Sequence, residues 1–304
     1  MNAGEADILK TRTRPAYPIR PTLPPHLHHL LHHELPRRPE AVLLDVYGTL
    51  FISASGDVGT ALDHTRVEHF ASAYRDATGV DLEQTTAEEL RRRFFEVLTS
   101  ERERISAAHR HEPRFVPEVD IRAIWTEVLS IANFPGSADP NYLSLCYEAH
   151  ANPVWPMPGA RSLFWSLSTL PLQTGLASNA QYFTLLLPEV FWGVNWTEIG
   201  CRSELCAFSF QIGRAKPDPE LFAGPLASLR AQGIDSERVV YVGNDMKNDI
   251  ATAAACGCMT VLFAGDSRSL RLRPELNLSL NAIDSIIVSL DELPVICRPR
   301  RTFL

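Results

Sequence analysis

An unbroken apolar run that ends on a carboxylate, Ala41-Val42-Leu43-Leu44-Asp45, constrains this chain more than any other stretch. A strand buried on both faces of a parallel sheet reads this way, although a run this short also fits a piece of buried helix. Gly48 then permits a sharp turn, and Thr49 places a hydroxyl just beyond it. Ligands of open α/β sheets bind outside the carboxyl ends of the strands, so Asp45 would stand where chemistry is done. Taken alone, the decapeptide 41–50 fits an acid that merely caps a strand end about as well. The context decides.

That context lies further along. From about 153 a helix starting at Ala160 leads to a strand over 172–177, which ends in Ser178-Asn179. Lys216-Pro217-Asp218-Pro219 precedes a helix over 219–231. A strand over 238–242 runs into Gly243-Asn244-Asp245-Met246-Lys247-Asn248-Asp249, followed by an Ala-rich helix over 250–256 and strands over 259–263 and 283–288. Strands alternating with helices predict a doubly wound parallel sheet, a Rossmann-like α/β core. The aromatic region 181–213 yields no clear element.

Between the two α/β parts, residues 60–151 have helical patterning throughout, with helices expected over 62–78, 86–108, 118–132 and 140–150. Gly79 suits a C-cap, and Thr86 with Glu89 suits a capping box. The expected division is an arm over 1–40, a core over 41–54 and 153–304, and an all-helical cap over 55–152, with the small-residue loop 51–59 as a hinge. The arm is rich in Pro, His and Arg and too poor in apolar residues to fold alone, so its removal is expected to leave a folded core. Within it, His28/His32 and His29/His33 are four apart and could hold zinc on a helix, but solvated histidines on a helix docked by Leu27, Leu30 and Leu31 are the simpler reading.

Composition narrows the partners. In 304 residues with a formal charge of −7 there is no basic footprint for nucleic acid, and no apolar run reaches membrane-span length. A cytoplasmic protein acting on a small molecule is expected, in an oligomeric state the sequence leaves open. The six cysteines lack paired C-x-x-C spacing and read as reduced core thiols, with Cys256/Cys258 and Cys201/Cys206 as minor redox candidates. The charged run over 91–104 reads chiefly as a solvated helix face, with some of its arginines free to meet an anion.

Four polar clusters thus fall at or just after strand ends: Asp45…Thr49, Ser178-Asn179, Lys216 and Asp245…Asp249. Phosphoryl transfer through an aspartyl-phosphate needs such a set: a carboxylate to attack, a hydroxyl and backbone N–H groups for the phosphoryl oxygens, a lysine, and acids for a hard divalent cation. With these motifs the chain resembles the haloacid dehalogenase superfamily over about residues 41–293, the helical module being similar to that family's mobile cap. The resemblance implies Asp45 as nucleophile, Thr49, Ser178, Asn179 and Lys216 as further site residues, and Asp45, Asp249 and Asn244 or Asp245 as Mg²⁺ ligands.

Two departures matter. Tyr47 stands where family phosphatases carry a second Asp that serves as acid and base, and Asn244 follows Gly243. A phenol of pKa near 10 donates a proton but is a poor base near neutrality. The family's 2-haloacid dehalogenases carry Tyr at that place, use no metal, and need an arginine near the nucleophile, for which Arg66 or Arg75 is a candidate. The leading expectation is a Mg²⁺-dependent phosphatase of a small, anionic phosphorylated metabolite. The alternatives are a metal-independent dehalogenase-type hydrolase and a non-catalytic binding protein.

Overall fold

The computed structural model describes residues 8–10, 16–53, 66–131 and 133–298. Its strands are β1 (Ala41–Leu44), β2 (Phe51–Ser53), β3 (Val154–Pro156), β4 (Gln173–Ser178), β5 (Cys201–Phe208), β6 (Val239–Gly243), β7 (Met259–Phe263) and β8 (Ser285–Ile287). Six of them form one sheet in the order β5-β4-β1-β6-β7-β8, every pairing parallel. All four residues of β1 and all five of β6 are buried, as continuous apolar central strands must be when both faces are covered. The fold is the expected doubly wound α/β core with a helical insertion.

The insertion comprises α1 (Val67–Thr78), α2 (Gln84–Ala108), α3 (Ile121–Ile131) and α4 (Pro140–Ala151). Phe70, Phe94, Trp125 and Tyr147 meet at its centre, with ring centroids 4.6–6.0 Å apart. Gly79 caps α1 in the left-handed conformation, its N–H on Arg75 O. The expected capping box at Thr86 is absent: α2 begins two residues earlier, and Glu89 pairs instead with Arg92 and Arg93 along the helix. α3 starts three residues later than its pattern suggests because Glu118 is engaged elsewhere, as described below. The proposed start of α1 at 62, most of the hinge loop (54–59), the boundary at 54–55 and Ala132 lie outside the described residues.

Three strands went unread in the sequence. β2 and β3 pair antiparallel at the two crossings between sheet and helices, and β2 falls where a hinge loop was expected. β5 forms the edge of the sheet inside the aromatic region. The helices α5 (Ala160–Ser168) and α6 (Glu220–Arg230) cover opposite faces of the sheet: Leu163 and Phe164 join the large cluster with Val42 and Val242, whereas Leu221 and Phe222 pack with Leu43 and Tyr241. Among the described residues no helix is long and apolar enough to cross a membrane.

The arm is docked more firmly than its composition suggests. Residues Pro25–Leu30 form a 3-10 turn whose Leu27 and Leu30 pack with Leu23 against Met246, Ile250, Leu262 and Ile286. Leu31 bridges Ile286, adding the arm to the free edge of β8. With three residues per turn, the 3-10 geometry removes the i, i+4 alignment of the histidines. His28 instead bonds Leu23 O, His33 bonds Asp284 O, and no metal-holding cluster of three side chains exists among the described residues. Removing the arm would therefore bare part of the β7–β8 face. Leu27→Ala is expected to cost about 2 kcal/mol in urea unfolding, the low end for such a truncation because a surface segment can settle into the space; an unchanged midpoint would mean that the arm is held by its backbone alone.

Candidate active site

Asp45 follows the last residue of β1 and continues its ladder, donating its N–H to Val242 O at 2.9 Å. The chain turns at once: Leu50 and Phe51 N–H both bond Val46 O, and Gly48 takes φ +82°. A Cβ at Gly48 would lie 2.7 Å from the Asn244 side chain, so two reasons demand glycine, the positive φ and the close approach. Across that contact Thr49 Oγ1 donates to Asn244 Oδ1 at 3.1 Å, and Asn244 Nδ2 donates to Ser269 O at 2.7 Å.

Lys216 is the hub. Its ammonium is 4% exposed as a residue and lies 2.7 Å from Asp45 Oδ1, 2.6 Å from Asp249 Oδ1 and 2.8 Å from the Tyr241 hydroxyl. Asn179 holds the Lys216 backbone from both sides, accepting from its N–H at 2.7 Å and donating to its carbonyl at 3.1 Å. Asn179 is thus a positioning residue for the lysine. Ser178, fully buried at the end of β4, hydrogen-bonds Asp45 and favours its carboxylate.

Two buried carboxylates share one ammonium here, and their acidities reflect it. Burial pushes Asp45 up to about 7, Asp249 adds to the rise, and Lys216 opposes it. Burial alone would discharge Lys216, but Asp249 and Asp45 outweigh it and hold the lysine charged. The direction for Asp45 follows from the count of charges: one positive group cannot neutralise two carboxylates out of water, so one of them binds a proton more readily.

The remaining predicted residues are placed differently from one another. Asp249 Oδ2 accepts the N–H groups of Asn244 and Asp245, both at 2.9 Å, while Oδ1 receives Lys216 and stands 3.2 Å from the Tyr241 hydroxyl. Asp245 faces away toward Arg273, whose guanidinium grips it at 2.9 and 2.5 Å, and it caps the following turn through Lys247 and Asn248 N–H. Tyr47 is buried with its hydroxyl 2.7 Å from Thr184 Oγ1. Burial first, and then nearby Glu148, push its phenol well above the ordinary value. Arg75 lies 3.4 Å from Asp81 at the surface, and Arg66 is an exposed residue before α1. Arg122 of α3 stacks over Tyr182, four residues after β4, and over Phe210, and is paired with Asp120.

Sequence reasoning missed Tyr241, Arg273 and Glu148. Tyr241 had a signal: a tyrosine amid the aliphatic residues of β6 must find a partner for its hydroxyl, and it donates to Ala177 O at 2.7 Å while accepting from Lys216. Glu148 sits on α4 among buried neighbours, at a cavity of about 10 Å³ shared with Tyr47, Asn152 and Phe183. Desolvation raises it to about 7, against a hydrogen bond from Asn152. The helical insertion also reaches the site directly. Glu118 binds Ser209 Oγ at 2.7 Å, Gln181 bonds Ile121 N–H and Val119 O, and Val116 accepts from Ala215 N–H, one residue before Lys216.

A family model described as HAD-hydrolase-like matches residues 213–289, the segment that supplies Lys216, Tyr241 and the Gly243–Asp249 loop. The structure is similar over 85% of its length to 97% of a 2-haloacid dehalogenase from Pseudomonas syringae pv. Tomato DC3000, at 19% identity and a TM-score of 0.52. The chain has the fold of the haloacid dehalogenase superfamily. Other superfamily structures align at TM-scores of 0.48: the HAD-hydrolase YfnB of Bacillus subtilis, solved with magnesium (16% identity, 86% of this chain, all of that one), and a HAD phosphatase from Thermococcus onnurineus (17% identity, 84% and 97%). No curated protein sequence matches the chain.

A superfamily structure was solved with magnesium, and the donor set of this site bears on whether that ion fits here. A carboxylate offers about four lone-pair sites. Asp249 takes three donors, Lys216 and the Asn244 and Asp245 N–H groups, with the Tyr241 hydroxyl 3.2 Å away, and Asp245 has its two oxygens on Arg273 and the loop. Asn244 is neutral and faces Thr49. Asp45 is the one nominated carboxylate left to face a ligand, and a lysine stands beside it. This arrangement does not fit a preformed Mg²⁺ site, which wants several hard oxygens in octahedral order.

Proposed function

We propose that the protein is a hydrolase of a small anionic molecule, in which Asp45 attacks the substrate to form an ester and water then cleaves that ester. The observation that carries the reading is the buried triad Asp45–Lys216–Asp249, which presents one carboxylate at the carboxyl edge of the sheet beside a fixed positive charge. Lys216 attracts an anionic substrate or leaving group, and Ser178 lies beside Asp45 at the same edge.

The Tyr47 hydroxyl is committed to Thr184, so the group two residues after the nucleophile is not aimed at a departing alkoxide. That favours a leaving group that needs no proton, as a halide does, and with it dehalogenase-type chemistry at carbon over the magnesium phosphatase expected from the motifs. Arg122, rather than Arg66 or Arg75, is then the candidate to receive a substrate carboxylate.

Chelator-treated protein is expected to release halide from a panel of 2-haloacids at a rate unchanged by added Mg²⁺, with phosphate esters turned over at least about a hundredfold more slowly. Phosphate release that depends on added magnesium would reverse the assignment. It would mean that the substrate brings the cation, with Asp45 as its main protein ligand.

A further inference from the structure

The edge strand β5 pairs irregularly with β4. Thr174 faces Cys201 and Leu176 faces Cys206, so two steps along β4 match five along β5. The surplus residues Arg202, Ser203 and Glu204 are exposed, and Leu205 folds back over Gly175. A Cβ at Gly175 would come within 2.3 Å of Leu205 O, so the glycine is what lets this bulge close against the neighbouring strand.

The bulge has a chemical consequence. Residues two apart on one strand point to the same face about 6.6 Å apart, and the partners of Thr174 and Leu176 inherit that spacing. Cys201 and Cys206, five apart in sequence, therefore stand as neighbours on one face, both against the large core cluster. Each thiol shifts the acidity of the other, and Cys206 Sγ also lies 3.3 Å from Arg202 O. A Cα separation of this size lies within the range that disulfides span.

The two thiols are also unequal. Cys201 is 3% exposed, while Cys206 is half-buried. Cys201 lowers the pKa of the Cys206 thiol against the opposing effect of burial, whereas burial raises Cys256 to about 11 and Cys258 to about 12.

We propose that Cys201 and Cys206 are a redox pair, oxidised to an intramolecular disulfide by a small-molecule disulfide of the glutathione type. The Cys206 thiolate attacks one sulfur of the oxidant, forming a mixed disulfide and expelling one thiolate. Cys201 then gives up its proton, attacks Cys206 Sγ and expels the second. The net change converts two protein thiols and one small disulfide into one protein disulfide and two small thiols, a two-electron exchange that a reducing dithiol reverses. The product staples the bulge of β5 shut, two residues before Phe208, which pairs with Ser178.

The test treats the full chain with oxidised glutathione, quenches in acid, alkylates free thiols under denaturing conditions and measures masses before and after trypsin. The expected protein loses about 2 Da, from two thiol hydrogens, and its other four cysteines are alkylated. Trypsin cuts after Arg202, so the disulfide must hold two peptides together, one ending at Arg202 and one containing Cys206. Cys201→Ser is expected to stop at a glutathione adduct on Cys206, and Cys206→Ser to stay unmodified at that strand. A lasting adduct on Cys206 in the parent, a bond between other cysteines, or no reaction would each overturn the proposal.

Discussion

Lys216→Met is expected to lower stability by about 3–5 kcal/mol at neutral pH, the range for removing one partner from a buried ionic group. The methionine fills much the same volume, so the loss comes from charge rather than from a cavity. Without the ammonium, Asp45 and Asp249 face each other out of water with no cation between them. The deficit should shrink in acid, since protonating Asp45 removes the repulsion; urea midpoints at about pH 5.5 and pH 8 would show it. Asp45→Asn added to Lys216→Met should restore part of the loss, because it takes away one of the two anions. A Lys216→Met protein as stable as the parent, or a deficit indifferent to pH, would mean that the lysine is not paired as described. Turnover should fall as well, since the positive charge next to the nucleophile goes with the side chain.

How much of this was legible in the sequence depended on what each residue had to do. Asp45, Ser178 and Asp249 could be read because each ends or follows an apolar strand, and a parallel sheet brings all its carboxyl edges together, while Lys216 was read from the Lys216-Pro217-Asp218-Pro219 motif. The central strands β1, β6 and β7 were legible for the same reason: burial on both faces demands unbroken apolar runs. β5 was not, because an edge strand with a three-residue bulge has no fixed alternation to detect. Nor was the division of labour among the acids of the Gly243–Asp249 loop. Asp245 and Asp249 are equivalent as letters, and only the fold turns one toward Arg273 and the other toward Lys216. The docking of the arm was hidden by composition, since three leucines at the right spacing suffice to hold a segment otherwise rich in Pro and His. Arg122 was missed because its contact with Tyr182 joins residues about sixty apart in the chain.

Asp45→Asn is expected to reduce turnover by at least about 10⁴-fold while leaving the protein folded, because an amide keeps the shape of the carboxylate but cannot attack. The pH behaviour sharpens the claim. Asp45 is raised from 3.8 to about 7 in the folded protein, so folding favours its neutral form. Its contribution to stability is fully present below about pH 4 and is lost as the pH rises toward 7. Asn at this position has no such dependence, and it leaves Lys216 and Asp249 as a one-to-one pair. The variant should therefore gain stability relative to the parent between about pH 4 and 7 and keep the gain above that. Activity of the parent should run the other way, rising toward pH 7 as the attacking carboxylate ionises. Repeated turnover in heavy-oxygen water should also label the Asp45 carboxyl, since hydrolysis of the ester returns one solvent oxygen to the enzyme. Residual activity within tenfold of the parent, or label that appears only in the product, would remove Asp45 from the role of nucleophile and leave Lys216 holding a structural acid.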